Sequence, residues 1–157
     1  SLRESGSDYA RDGMDIAFCC LDKKNMTLQY AGAYNPLYLI NPGRKAWPKM
    51  GRKFEDDMPG VEIRADSIVI GLETGAFTNH EIALEKGDRI YLFSDGFADQ
   101  FGGPKGKKFK YKQFKKLLCS INQKPMAAQQ QILDTSFNSW RGELKQLDDV
   151  CVLGVEV

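Results

Sequence analysis

Short apolar runs bounded by turn residues make up most of the first hundred residues, and each run has the length of a β-strand. A further run of the same kind returns at the end of the sequence. Because tight turns join the first three runs, we expect those three to form an antiparallel meander. Residues 44–60 lack periodicity and predict an irregular excursion. The predicted strands are residues 14–21, 27–33, 37–40, 61–71, 77–84, 89–93 and 150–157.

Beyond residue 104 the spacing of apolar residues changes from two to about three and a half. Apolar positions from Tyr111 to Ile121 fall on one face, which predicts an amphipathic helix. Pro125 suits the first turn of a second helix, and Gly142 marks its end. Strands first, helices late and a final strand after them predict the α+β class, an antiparallel sheet system with helices laid on it.

Composition adds that the chain has the size of one domain, so we expect a single unit over residues 1–157. The 22 basic and 21 acidic residues nearly balance, so no overall field draws the chain to nucleic acid or an acidic membrane surface. No apolar run is long enough to cross a bilayer, and the start lacks a signal-like pattern. Four cysteines without C-x-x-C spacing indicate reduced, mostly buried thiols, and we expect a cytoplasmic protein.

Two acidic positions carry the candidate chemistry. Asp95 directly follows the bulky run 89–93, and Gly96 gives the chain room to turn away. Asp148 and Asp149 immediately precede the last strand. If the two strands are antiparallel neighbours, these carboxylates meet at one sheet edge, where they suit Mg²⁺ or Mn²⁺ better than Zn²⁺. The alternative is structural: Ser-Asp-Gly is ordinary turn sequence, and the aspartate pair merely opens a strand.

A second candidate is the segment 104–116, PKGKKFKYKQFKK, in which seven lysines alternate with aromatic residues. Such a pattern can bind single-stranded nucleic acid or an acidic partner. It fits better as a helix whose aromatic side chains are buried and whose lysines form a solvated face. We therefore expect no nucleic-acid partner. A further hypothesis is that the lysines steer an anionic phosphoprotein towards the acidic site.

Four stretches, in order along the chain, are DGMDIAFCCLD, LQYAGAYNPLYLI, KGDRIYLFSDGFADQFGG and LDDVCVLGVEV. Together they resemble the C-terminal portion of the metal-dependent protein phosphatases named after stage II sporulation protein E. The resemblance implies an antiparallel β-sandwich flanked by helices, an α-β-β-α phosphatase fold. It implies two Mn²⁺ or Mg²⁺ ions that activate water for attack on phosphoserine or phosphothreonine. It also implies that Asp95 and Asp148 are metal ligands and that Asp149 is a neighbour of the site. A catalytic Ser, Cys or His is not required.

The same comparison indicates a partial domain. The family's remaining ligands lie on an early acidic strand and in an Asp-Gly turn that enters a helix, and nothing before Asp15 matches them. The sequence also starts with a polar stretch at Ser1 rather than with Met. We therefore expect the N-terminal part of the domain to be missing, with weak metal binding and little or no phosphatase activity in this piece alone.

The resemblance also implies a biological setting. The substrate would be a regulatory phosphoprotein of bacterial signalling, and an upstream sensor or signalling region of the same protein, in some members at the membrane, would regulate the domain. A noncatalytic signalling or interaction module on the same scaffold is the alternative.

Overall fold

The computed structural model describes residues 13–71 and 75–157. Most of the strands are short, and the two long helices follow one another late in the chain. The elements are β1 (Ile16–Asp22), β2 (Thr27–Ala33), β3 (Leu37–Ile40), β4 (Arg52–Lys53), β5 (Gly60–Ile63), β6 (His80–Ala83), β7 (Arg89–Phe93), α1 (Gly96–Asp99), β8 (Phe101–Gly102), β9 (Lys107–Lys108), α2 (Tyr111–Ile121), α3 (Met126–Arg141) and β10 (Val152–Glu156).

Two antiparallel sheets stack face to face. One has the strand order β1-β2-β6 and the other β10-β7-β3-β5-β4, while β8 and β9 form a separate hairpin. All four residues of β3 are buried. Leu37 and Leu39 pack in the core between the sheets, whereas Tyr38 and Ile40 pack with side chains from the helices. Since successive strand residues point to opposite faces, this alternation defines three layers: sheet, sheet and helices.

Each core has a distinct composition. The core between the sheets is mainly aliphatic, and the core under the helices is mainly aromatic, with edge and tilted ring pairs 4.4–6.4 Å apart. The first contains Leu28, Tyr30, Leu37, Leu39, Val61, Ile63, Ile82, Leu84 and Ile90. The second contains Tyr38, Ile40, Phe54, Tyr91, Phe93, Phe97, Phe109, Phe114, Leu118 and Phe137. The predicted α+β antiparallel sandwich with helices is confirmed.

The helix predictions are confirmed closely. In α2 the buried residues Phe114, Leu118 and Ile121 recur every three or four positions. Helix α3 begins directly after Pro125 and ends at Gly142, whose positive φ of 55° suits glycine.

The predicted meander is wrong at its third strand. β3 pairs with β5 and β7 and not with β2. The chain changes sheets at Tyr34, which has a positive φ of 58°, and at Pro36, which cannot donate to a ladder. The Tyr30 hydroxyl donates to the carbonyl of Asn35 at 2.7 Å and holds this corner.

The predicted strand 61–71 is also wrong beyond Ile63. There the chain leaves the five-stranded sheet and crosses to the other one, where Asp66 forms an isolated parallel bridge with Ala33. The backbone N–H of Asp66 donates to Gly32, and Tyr34 donates back to Asp66. The predicted strand 77–84 is shorter too, since β6 starts only at His80.

A buried ionic cluster anchors the end of β7 opposite to Asp95. Asp88 is fully buried and accepts hydrogen bonds from the Asn41 side chain at 2.9 Å and the Glu85 backbone at 2.8 Å. It also forms an ion pair with Arg44, whose side chain is only 5% exposed. Arg44 donates as well to the carbonyl of Ala83 at 2.8 Å. The start of the irregular segment 44–60 is thereby tied to the sheet.

The lysine-rich segment 104–116 agrees only partly with its predicted role. Phe109 and Phe114 are buried as expected, but Tyr111 is 39% exposed. Several lysines of this segment pair with carboxylates, which lowers the net positive charge of the surface. The pairs are Lys108 with Asp99, Lys112 with Glu55 and Asp56, Lys115 with Glu62, and Lys116 with Asp56.

The cysteines are free, as expected, but they are not mostly buried. Cys20 and Cys151 are exposed, and Cys19 and Cys119 are half-buried. Within residues 13–71 and 75–157, no helix has both the length and the apolar character needed to cross a membrane.

Candidate metal centre

The end of β7 and the start of β10 are held together by one serine. The two strands pair antiparallel, with Phe93 opposite Val152. Just beyond this pair, the backbone N–H of Ser94 donates to the Cys151 carbonyl at 3.0 Å. The Ser94 hydroxyl donates to the Asp149 carbonyl at 2.8 Å and accepts from the Cys151 N–H at 3.0 Å. These three bonds, the Ser94 clip, bring the two predicted acidic positions to the same edge of the sheet.

Gly96 permits the close approach of the two segments. A Cβ at this position would overlap the Asp149 carbonyl oxygen and lie 3.0 Å from the carbonyl carbon. Asp95 is the N-cap residue of α1, yet its side chain makes no capping hydrogen bond. The carboxylate of Asp95 is therefore not used to cap the helix. The expected turn after β7 is in fact this single helical turn.

The electrostatics of Asp95 reflect a cluster of like charges. Partial burial raises the pKa of Asp95 above its ordinary value, and the negative charges of Asp148, Asp99 and Asp15 raise it further, in that order. Like charges disfavour ionisation because each added charge meets repulsion. Negative charges from three separate parts of the chain thus act on Asp95 here. A bound cation would relieve their repulsion.

Asp148 and Asp149 have different surroundings. Asp148 accepts the N–H of Asp149 on its own carboxylate at 2.7 Å, and its carbonyl accepts from the Gln146 side chain at 2.9 Å. Of the two, it is the charge of Asp148 that raises the pKa of Asp95. Asp149 contributes its backbone carbonyl to the Ser94 clip. The structure therefore brings Asp95 and Asp148 together, and the metal-binding role of all three aspartates stays a prediction.

Three residues near this edge were missed by the sequence analysis. Asp99 lies four residues after Asp95, a spacing that would have placed them on one face if α1 had been predicted. Asp15 precedes β1, and no local pattern relates it to Asp95. Tyr111 opens α2 with its ring 6.3 Å from that of Phe93. Burial first, then the charges of Asp95 and Asp99, raise the pKa of Tyr111 to about 12.

The donor chemistry at this edge fits a hard divalent cation. Carboxylate oxygens suit Mg²⁺ and Mn²⁺, and the one histidine of the sequence, His80, stacks instead on Tyr30 with ring centroids 6.0 Å apart. However, no three His, Cys, Asp or Glu side chains within residues 13–71 and 75–157 come close enough to hold a metal ion. Within the described residues, this edge therefore lacks a complete set of metal ligands. Asp8 and Asp12 lie outside the described residues.

The fold is that of the PP2C class of phosphatase domains. The SiaA-PP2C domain of Pseudomonas aeruginosa is 27% identical with a TM-score of 0.78, over 92% of this chain and 52% of that one. The manganese-presoaked phosphatase domain of SpoIIE from Bacillus subtilis is 12% identical with a TM-score of 0.60, over 91% and 56%. The Mycobacterium tuberculosis serine/threonine phosphatase PstP/Ppp is 14% identical with a TM-score of 0.53, over 92% and 60%.

The family follows from the sequence. The model of the family described as Stage II sporulation protein E (SpoIIE) matches residues 4–157. The chain therefore belongs to the stage II sporulation protein E family of metal-dependent PP2C-type protein phosphatases, as its resemblance predicted. No curated protein matches the sequence. The chain spans between 52% and 60% of the length of these three structures.

Proposed function

We propose that this chain is the C-terminal part of a phosphatase domain that removes phosphate from phosphoserine or phosphothreonine of a regulatory phosphoprotein. Asp95 and Asp148 would hold Mn²⁺ or Mg²⁺, two ions in the complete domain, with Asp149 beside them. The observation that supports this most is the antiparallel pairing of β7 with β10, together with the Ser94 hydrogen bonds just beyond it, which join the backbones that carry Asp95 and Asp149 at one sheet edge. Partial burial first, and then the charges of Asp148, Asp99 and Asp15, also raise the pKa of Asp95. Carboxylates kept together in this way favour a divalent cation.

The proposed chemistry needs no nucleophilic side chain. When bound, the divalent ions supply Lewis-acid activation of water and neutralise charge on the phosphoryl group. Asp95 and Asp148 orient that site, and the Ser94 clip fixes the backbone on which both depend. The Ser94 hydroxyl already makes two hydrogen bonds to backbone groups, so its role is to position and not to attack. Burial first, and then the charges of Asp95 and Asp99, raise the pKa of Tyr111, so it keeps its phenolic proton at neutral pH.

The wider assignment draws on the solved relatives. The name of the tuberculosis protein gives serine/threonine phosphatase activity, and the sporulation phosphatase domain was presoaked with manganese. By analogy we propose the same substrate class and metal here. We also propose a place in bacterial signalling, with a sensor or signalling region of the same polypeptide as regulator and the cytoplasm as the site of action.

The incomplete ligand shell shapes the proposal. Residues 13–71 and 75–157 hold no group of three metal ligands, and two carboxylates alone bind Mg²⁺ or Mn²⁺ weakly because most of the coordination shell stays water. We therefore propose that residues 1–157 by themselves bind the ions weakly and turn over little phosphopeptide. A noncatalytic interaction module on this scaffold is the alternative function.

Titration of Mn²⁺ into the full natural polypeptide that contains these residues separates the two functions. The phosphatase proposal expects calorimetric Mn²⁺ binding and metal-dependent phosphopeptide hydrolysis, both lost in Asp95→Asn. Asp57→Asn is the matched control, because Asp57 is exposed and takes a positive φ that asparagine also tolerates. Absence of Mn²⁺ binding in the unmodified polypeptide would support the module, and robust turnover by residues 1–157 alone would contradict the partial-shell argument.

A further inference from the structure

Gln100 is a fully buried amide that joins α1 to the loop before β10. Its side-chain N–H groups donate to its neighbour Phe101 at 2.9 Å and to the Lys145 carbonyl at 3.0 Å. Its side-chain oxygen accepts from the Leu147 N–H at 3.3 Å. Leu147 directly precedes Asp148. A polar side chain with no exposure thus holds the backbone on which one predicted ligand lies.

Gln100 is itself held firmly from the other side. Its carbonyl accepts from the Trp140 indole N–H at 3.0 Å and from the Phe109 backbone N–H at 2.9 Å. Gln100 is also the C-cap residue of α1, the short helix that starts after Asp95. The Gln100 side chain therefore links the loop before Asp148 to the end of α1. The Gln100 backbone carbonyl is in turn bonded to residues of the core under the helices.

We propose that Gln100 is a positioning residue of the metal centre: its amide sets the loop 142–149, and with it Asp148, against the α1 turn that begins at Asp95. This inference rests on the proposed function, since it assigns the arrangement of that same site. Residues 142–149 are all exposed, so little packing of their own holds them. The Gln100 hydrogen bonds hold the loop just before Asp148, and the Ser94 clip holds it at Asp149.

Removing the Gln100 amide should affect the protein differently from replacing an apolar core residue. If the amide is removed, the Lys145 carbonyl and the Leu147 N–H can turn towards water, because their loop lies at the surface. The loop then moves and the core stays folded. Buried partners of a metal ligand that are lost in this way typically weaken metal affinity about 10- to 100-fold.

Gln129 provides a matched control within the same chain. It is 2% exposed, accepts from the Tyr91 hydroxyl at 2.8 Å and donates to the carbonyls of Asn122 and Lys124 at 3.1 and 2.8 Å. Its bonds join α3 to β7 and to the turn after α2, and none of them involves the acidic loop. Gln100→Met and Gln129→Met each replace a buried amide by an apolar chain of similar length.

The test combines two readouts on the full natural polypeptide, with Asp95→Asn included. Hydrogen–deuterium exchange without metal measures protection of the peptide spanning residues 142–149, and calorimetry measures Mn²⁺ affinity. We expect Gln100→Met to speed exchange in that peptide and to weaken Mn²⁺ binding about 10- to 100-fold, whereas Gln129→Met changes neither.

The outcomes separate this inference from the proposed function. Unchanged exchange of the loop in Gln100→Met overturns the positioning role whatever the metal does. Faster exchange with unaltered Mn²⁺ affinity, while Asp95→Asn abolishes binding, also overturns it and leaves the proposed function standing. If the unmodified polypeptide binds no Mn²⁺, or Asp95→Asn binds as well as it does, the proposed function fails and the role of Gln100 for the metal fails with it.

Discussion

Neutralising Asp95 should stabilise the metal-free protein and destabilise the metal-bound one relative to wild type. Partial burial first, and then the charges of Asp148, Asp99 and Asp15, oppose ionisation of Asp95, so its pKa is raised in the folded state. A raised pKa means that the folded state favours the protonated form. The stability that Asp95 contributes is therefore present below about pH 4, the value in the unfolded chain, and is lost as pH rises through the folded value.

The magnitude is modest because Asp95 is largely exposed. Two unit charges 4 Å apart interact by about 1 kcal/mol in water, and more distant pairs by less. We expect Asp95→Asn to raise the free energy of unfolding at pH 7 by about 0.5–1 kcal/mol in EDTA. Asparagine caps helices as well as aspartate does, so capping does not contribute to the difference.

Metal reverses the order of stability. Mn²⁺ at about 100 times its dissociation constant stabilises wild type by about 2.7 kcal/mol through mass action. Asp95→Asn lacks this gain and should then be the less stable protein by about 2 kcal/mol. Urea unfolding with and without Mn²⁺, read by hydrogen–deuterium exchange of the β7 peptide, follows this domain specifically. Asp57→Asn serves again as the control and should shift neither curve.

Two results would refute the reasoning. Equal stability of wild type and Asp95→Asn in EDTA would show that these carboxylates do not repel one another in the folded state. Equal stabilisation of both proteins by Mn²⁺ would show that Asp95 is not a ligand. The reasoning holds only if Asp95→Asn is the more stable protein in EDTA and the less stable protein in Mn²⁺.

Two further substitutions test the framework around the site. Asp88→Asn should cost about 3 kcal/mol of unfolding free energy, because it leaves the buried Arg44 guanidinium with only the exposed Glu85 carboxylate, 3.6 Å away, as a charged partner. Glu156→Gln, at an ion pair whose carboxylate is exposed, should cost under about 1 kcal/mol in the same urea titration. Equal losses would contradict the burial argument. Gly96→Ala should lower the free energy of unfolding by about 1–3 kcal/mol and weaken Mn²⁺ binding, because the added Cβ displaces the Asp149 carbonyl. An unaltered Mn²⁺ affinity in calorimetry would show that this contact does not control the acidic loop.

The sequence predicts the parts of this molecule that depend on local periodicity. β7, α2, α3 and β10 each have a repeat that matches their own geometry, and proline or glycine marks the ends of α3. The meeting of Asp95 and Asp148 was also predictable, since it needs only two antiparallel neighbouring strands. Their order in the sheet then places the end of one beside the start of the other.

The remainder depends on long-range packing that local patterns do not encode. The chain passes from one sheet to the other between β2 and β3, where Tyr34 takes a positive φ. A positive φ is uncommon for a tyrosine, so the sequence does not predict it. Asp88 and Gln100 look like surface turn residues in the sequence, yet both are fully buried and bonded to segments about 45 positions away. Asp15 reaches the acidic edge only because two sheets stack.

The Ser94 clip joins groups that are 55 and 57 positions apart in the chain. While the polypeptide emerges from the ribosome, β7 therefore lacks one neighbour until the whole helical region has been made, and its unpaired edge is open to association with other chains. The segment with Asp95 and the segment with Asp148 and Asp149 meet only when β10 pairs with β7. Assembly of the acidic edge is thus a late event of biogenesis, and in a nascent chain halted before β10 Asp148 is not yet fixed beside Asp95.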